Sequence, residues 1–153
     1  TRLRKVEEQD MHGAIFAAAG LQRINKQDKI TQYLDWMVPA PAQGAMAVMV
    51  REDDERMIEI TSQLNHKNTA LCTSVERELL NEMEAGCSAP VGAFAEIIDG
   101  SVQLSAIALK TDGSLQYDIE MTAPVNDAEG MGREAGRKLL EMGASEIVAN
   151  LRS

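Results

Sequence analysis

Between residues 93 and 122 three short strand-like runs are separated by Asp-Gly dipeptides, and that pattern constrains the fold more than any other stretch of the chain. Ala93–Ile98, Val102–Lys110 and Leu115–Thr122 are the runs; Asp99-Gly100 and Asp112-Gly113 stand between them. Asp-Gly favours the left-handed backbone of tight hairpin turns, so the segment reads as an antiparallel meander. The third run alternates cleanly, with Leu115, Tyr117, Ile119 and Met121 on one face and Gln116, Asp118 and Glu120 on the other. A sheet with one apolar face needs a cover, and the flanking segments offer it. From about Asn65 to Gly86 a helix is expected, with Leu71, Val75, Leu79 and Met83 along one face. After the meander, Asn126 and Glu129 have capping-box spacing, followed by Met131, Ala135 and Leu139 and a stop at Gly143. A short terminal helix over Ser145–Leu151 is expected to follow. Helix, three-stranded meander, helix is an α+β order with the helices on one sheet face.

The N-terminal third has a different character. Arg2–Gln9 suits a surface helix, whereas Ala14–Ala19, closed by Gly20, reads as a buried strand of a parallel sheet. Pro39 and Pro41 interrupt the chain, and Ala45–Val50 is a second buried-strand candidate. Two such strands cannot build a core alone, because parallel strands need neighbours and covering helices. This region is therefore expected to be part of an α/β domain whose remainder lies elsewhere. Asp53, Asp54 and Glu55 then open a helix carrying Met57, Ile60 and Leu64, and the boundary of the α+β unit is expected near residues 63–66.

Composition narrows the function. The 153 residues carry 15 basic and 24 acidic side chains, a net charge of −9, which argues against unspecific nucleic-acid binding. One Trp, two Tyr and two Phe leave little for base stacking. No apolar run is long enough for a membrane-spanning helix, and nothing reads as a signal peptide. Two cysteines do not make a disulfide scaffold, so a cytoplasmic setting is expected. His12, His66, Cys72 and Cys87 show no zinc-ligand spacing, so no metal site is expected. The chain begins with Thr1 rather than Met, which suggests a processed product or a piece of something longer.

Cys87 is the most interesting side chain. It stands beside Gly86 and ahead of Pro90, in a turn, where a thiol can be accessible and nucleophilic. The plain alternative, a small buried hydrophobe, suits Cys72 better, since it falls within a helix beside Leu71. A Cys72–Cys87 redox pair is conceivable but has no motif. Arg2 and Arg23 are candidate anion ligands, Arg23 because it follows the Ala14–Ala19 run, where open sheets place ligands. Gln43-Gly44 offers a loop with backbone N–H groups. His12 and His66 read as structural or surface residues.

The segment Glu84-Ala85-Gly86-Cys87-Ser88-Ala89-Pro90-Val91-Gly92 resembles the cofactor-cysteine segment of the porphobilinogen deaminase (hydroxymethylbilane synthase) family. Thr1-Arg2-Leu3, Ala17 to Ile24, Pro41 to Ala45, Asn65-His66, Val75-Glu76-Arg77, Ile98-Asp99-Gly100 and Ala123 to Glu129 are similar to family segments in the family's order. The resemblance implies remnants of periplasmic-binding-protein-like α/β domains ahead of an α+β domain. Residues 1–40 would end a second domain, 41–63 would return to the first, and 64–153 would form the C-terminal, cofactor-attachment domain.

The implied reaction condenses four porphobilinogen molecules into a linear tetrapyrrole with release of ammonia. Its dipyrromethane cofactor is held by a thioether, here on Cys87, and the tether keeps a polar intermediate in place between additions. Arg2 and Arg23 match arginines that bind the carboxylate arms, and Gln43 and Gly44 match a segment lining the cofactor cleft. Implied partners are porphobilinogen, the growing polypyrrole and the missing N-terminal domains, with no nucleic acid and no membrane. The family's catalytic Asp has no counterpart, so this chain alone is expected to be inactive. Ala85 and Ala42 stand where the family commonly has Gly, which would restrict the backbone there, and Gly13 stands where it usually has Asp. The alternative is a non-catalytic ligand-binding or interaction module of the same fold.

Overall fold

A computed structural model of the chain describes residues 2–84 and 89–149. It divides into two compact units, Thr1–Met37 and Val38–Ser153. The first contains helices α1 (Arg2–Glu8) and α2 (Ala18–Arg23) and a 3-10 turn, Gln27–Lys29. Leu21 is its buried hydrophobic residue, and Lys29 reaches Glu7 at 3.2 Å. The expected strand over Ala14–Ala19 is absent: Ala18 already belongs to α2, and Ile15 is exposed.

The second unit opens with an extended segment and then helix α3 (Glu55–Ser62), capped by the Asp54 carboxylate accepting from Met57 N at 3.0 Å. Its acidic start behaves as expected. The Ala45–Val50 strand does not form either; Met46 is 85% and Met49 92% exposed. The reason is hydrogen bonding. A strand exists only against a neighbour, and among the described residues the one sheet is the meander.

That meander is β1 (Val91–Ile98), β2 (Ser101–Leu109) and β3 (Gln116–Pro124), antiparallel in the order β1-β2-β3. Asp99 and Gly100 both have positive φ, 49° and 78°, the left-handed pair of a two-residue hairpin turn. Asp112-Gly113 works differently. The chain turns over Thr111 to Ser114, with Gly113 N donating to Lys110 O at 2.8 Å and the Asp112 carboxylate accepting from both the amide and hydroxyl of Ser114. Register places Ala95, Leu104 and Met121 in one row and Ala93, Ala106 and Ile119 in the next. Their side chains share the face against which helices α4 (Lys67–Glu82) and α5 (Met131–Leu139) pack.

Val75 and Leu79 of α4 and Met83, at its C-cap, are buried in this core, as the spacing predicts. Each fully buried aliphatic side chain is worth about 1.5–3 kcal/mol. From α5, Met131, Ala135 and Leu139 join them. The two helices pack closely because Gly132 and Gly136 face α4: a side chain at Gly132 would meet the backbone of Val75. Arg133–Glu78 (3.1 Å) and Arg137–Glu82 (3.6 Å) border the contact.

The capping box at Asn126 is not formed. Val125–Asp127 is a 3-10 turn that tucks Ala128 into the core, and α5 starts after Gly130 with no side-chain cap. Sealing the sheet end with Ala128 displaces the helix start by several residues. Gly143 (φ 118°) breaks the helix as expected, against the Tyr117 ring, and α6 (Ser145–Ala149) follows.

Candidate functional site

The site residues are positioned from the outer edge of β1. An edge strand leaves backbone N–H groups without partners, and here two are satisfied from outside the sheet. Ala93 N donates to Pro39 O at 2.9 Å, bringing the incoming segment alongside β1. Ala95 N donates to Glu76 Oε1 at 2.8 Å. The other oxygen of that carboxylate, Oε2, accepts from Ala42 N at 2.6 Å. Glu76 is 5% exposed, the single charged residue among the buried ones described, so both oxygens replace lost water with backbone donors.

Above this carboxylate the chain makes a compact turn. Gln43 N donates to Ala40 O (3.0 Å) and Ala45 N to Ala42 O (3.2 Å), with Ala42 at φ 58° and Gly44 at φ 85°. Ala42 thus occupies the left-handed region that glycine enters freely and alanine avoids, so the departure noted in the sequence falls where backbone freedom counts. Gln43 and Gly44 are both exposed. They border a groove of about 380 Å³ lined also by Asn68, Thr69, Thr73 and Phe94. The Thr73 hydroxyl donates to Thr69 O, and the Thr69 hydroxyl pairs with His66 Nδ1, which caps α4. The side-chain amides of Gln43 and Asn68 carry no hydrogen bond among the described residues. They are donors suited to a carboxylate, and Phe94 supplies an apolar wall.

Arg2 and Arg23 lie in the first unit, on α1 and in the last turn of α2. Arg23 therefore belongs to a helix and does not follow the expected strand. Both are exposed and make no ion pair among the described residues. Cys87, with Ala85, Gly86 and Ser88, lies outside the described residues; its flanks, Met83 and Val91, are core positions. Cys72 is buried on α4. Burial first, and then the Glu76 carboxylate, push its thiol pKa up, which disfavours the thiolate that redox exchange needs.

Glu76 was missed as a site-shaping residue. Its signal in the sequence is faint: an acidic side chain next to Val75, close to the apolar stripe of a helix.

Comparison with known proteins decides the family. Residues 1–59 match the family model "Porphobilinogen deaminase, dipyromethane cofactor binding domain", and residues 70–141 match "Porphobilinogen deaminase, C-terminal domain". Over 99% of its length the chain is 37% identical to the porphobilinogen deaminase of Chlorobaculum tepidum and 38% identical to that of Geobacillus kaustophilus. The chain belongs to the porphobilinogen deaminase family. Its sheet and helices α4 and α5 are the family's C-terminal α+β domain, and dipyrromethane is the cofactor named for the family. The chain spans about half the length of the curated relatives it matches, 50% for both of these proteins. The amides of Gln43 and Asn68, which border one groove, are donors of the kind that a carboxylate-bearing cofactor accepts.

Proposed function

We propose that this chain is the C-terminal half of a cytoplasmic hydroxymethylbilane synthase, and that Cys87 anchors its dipyrromethane. The whole enzyme condenses four porphobilinogen molecules into hydroxymethylbilane and releases ammonia. When bound, dipyrromethane supplies the free pyrrole carbon from which the chain is extended. Cys87 contributes a carbon–sulfur bond, which keeps the product from leaving between additions. Arg2 and Arg23 neutralise acetate and propionate arms, and the Gln43-Gly44 turn lines the cleft that receives them. Residues 64–153 form the attachment domain, with 1–40 and 41–63 belonging to the second and first α/β domains. Residues that move protons during ammonia release come from the preceding half, so this chain alone turns over no substrate.

The observation that carries this reading is the Gly86-Cys87-Ser88-Ala89-Pro90-Val91-Gly92 element inside the matched C-terminal domain, between two core residues. Intact-mass and peptide mass spectrometry of the full-length protein, expressed with substrate available, test it. A dipyrromethane mass on the Cys87 peptide, lost in Cys87→Ser, is expected. An active protein with unmodified Cys87 overturns the proposal.

A further inference from the structure

We infer that Glu76 is a positioning residue whose buried carboxylate holds the Ala42–Gly44 turn in its left-handed conformation and registers it to β1. Through that turn it sets where Gln43 and Gly44 face the cofactor, a role that rests on the reading of these two residues as cleft-lining. Three observations converge. Glu76 is buried at 5% exposure, yet its carboxylate has no cationic partner among the described residues. Its two oxygens instead take one backbone N–H each from two separate pieces of chain: Ala42 in the turn (2.6 Å) and Ala95 on β1 (2.8 Å). Finally, the N–H it takes in the turn belongs to Ala42, whose φ of 58° is a conformation alanine does not hold unaided.

The chemistry selects a carboxylate. Two converging N–H donors require two acceptor atoms, and a glutamine offers one oxygen and one NH2. In Glu76→Gln one N–H faces another donor, so either the turn or the strand edge is released. Aspartate is one methylene shorter and does not span both. Glu76 thus couples the helix that leads toward Cys87, the strand that follows Cys87 and the loop carrying Gln43 in one hydrogen-bonded junction.

Amide hydrogen exchange by NMR on the wild-type chain gives the first test and needs no variant. The Ala42 amide is expected to exchange slowly, like that of Ala95, although it lies in a surface turn. Exchange of Ala42 as fast as an unstructured amide overturns the clamp. The second test uses the full-length protein carrying Glu76→Gln, with and without Ala42→Gly. With Glu76→Gln, exchange over residues 42–45 should quicken about tenfold or more while β2 and β3 keep their protection. Turnover should fall with the cofactor mass still on Cys87. Adding Ala42→Gly should restore much of kcat without restoring urea stability, because glycine takes positive φ without the carboxylate. A purely stabilising role for Glu76 predicts no kinetic rescue, and that result overturns the inference. Absence of the adduct on wild-type Cys87 defeats the functional reading instead, and the exchange data still decide the clamp.

Discussion

Replacing Gly132 by alanine tests how the C-terminal domain closes. Gly132 lies on α5 with the α4 backbone against it: an added Cβ would overlap the Val75 carbonyl and come within 2.8 Å of Glu78 Cβ. Backbone atoms in the middle of a helix cannot swing aside, so the helices must separate. Separation loosens Val75, Leu79, Met131, Ala135 and Leu139 together. Overpacking of this kind costs about 1–3 kcal/mol, and a clash with a carbonyl places it at or above the upper end. Alanine's helix preference over glycine returns about 1 kcal/mol, leaving a net loss of roughly 2 kcal/mol. Gly136→Ala is the internal control, one turn along on the same helix. Its Cβ would meet Glu82 Cβ at 2.9 Å, Cγ at 3.2 Å and Leu79 O at 3.2 Å, so α4 has to give by only a few tenths of an ångström, with no overlap of a carbonyl. Strain and propensity there cancel to within about 1 kcal/mol. Urea unfolding of the chain followed by far-UV circular dichroism should show the Gly132→Ala midpoint lower by about 1 M, given m values of about 1–3 kcal/mol/M. Gly136→Ala should stay near wild type. Equal effects at the two positions, or a larger loss at Gly136, would refute the packing argument.

Three further outcomes are expected. Asp112, held at a pKa of about 2 by the hydroxyl and amide of Ser114, should titrate by NMR well below an ordinary carboxylate, and Ser114→Ala should move it up. Because its folded value lies below the unfolded one, the stability it contributes is present above about pH 4 and is lost as pH falls through about 2. In a Cys87→Ser background, Cys72 should resist a thiol reagent at pH 8 until urea unfolds the chain; equal rates folded and unfolded would contradict its burial. Gly100→Ala, at φ 78° in the β1–β2 turn, should cost about 1–2 kcal/mol and lower the melting temperature by several degrees.

Much of the C-terminal domain was legible because each of its elements carries a local signal. Alternation wrote β3, Asp99-Gly100 wrote the first hairpin, and the Val75-Leu79-Met83 spacing wrote the core face of α4. Legibility failed where a local signal competed with packing. Asn126 and Glu129 have the spacing of a cap, but burying Ala128 fully placed a 3-10 turn there instead. Ala14–Ala19 and Ala45–Val50 have strand composition, yet a strand is a relation between segments, and neither meets a partner among the described residues. For the site, Gln43 and Gly44 were found as a loop, whereas the carboxylate beneath them was not. Arg23 was expected after a strand and lies instead in the last turn of α2, which takes in only Ala18 and Ala19 of that run.

By itself the sequence determined the α+β meander and its apolar face, because periodicity and turn chemistry act over a few residues. It also determined the family, because the matching segments run in order along nearly the whole chain. Only the tertiary structure decided that α4 and α5 pack through Gly132 and Gly136 and that Glu76 joins Ala42 to Ala95 across 34 and 19 residues of chain. Those are matters of which distant backbone groups are buried together. A buried donor or acceptor must find a partner wherever the fold brings one, and no local pattern records where that will be.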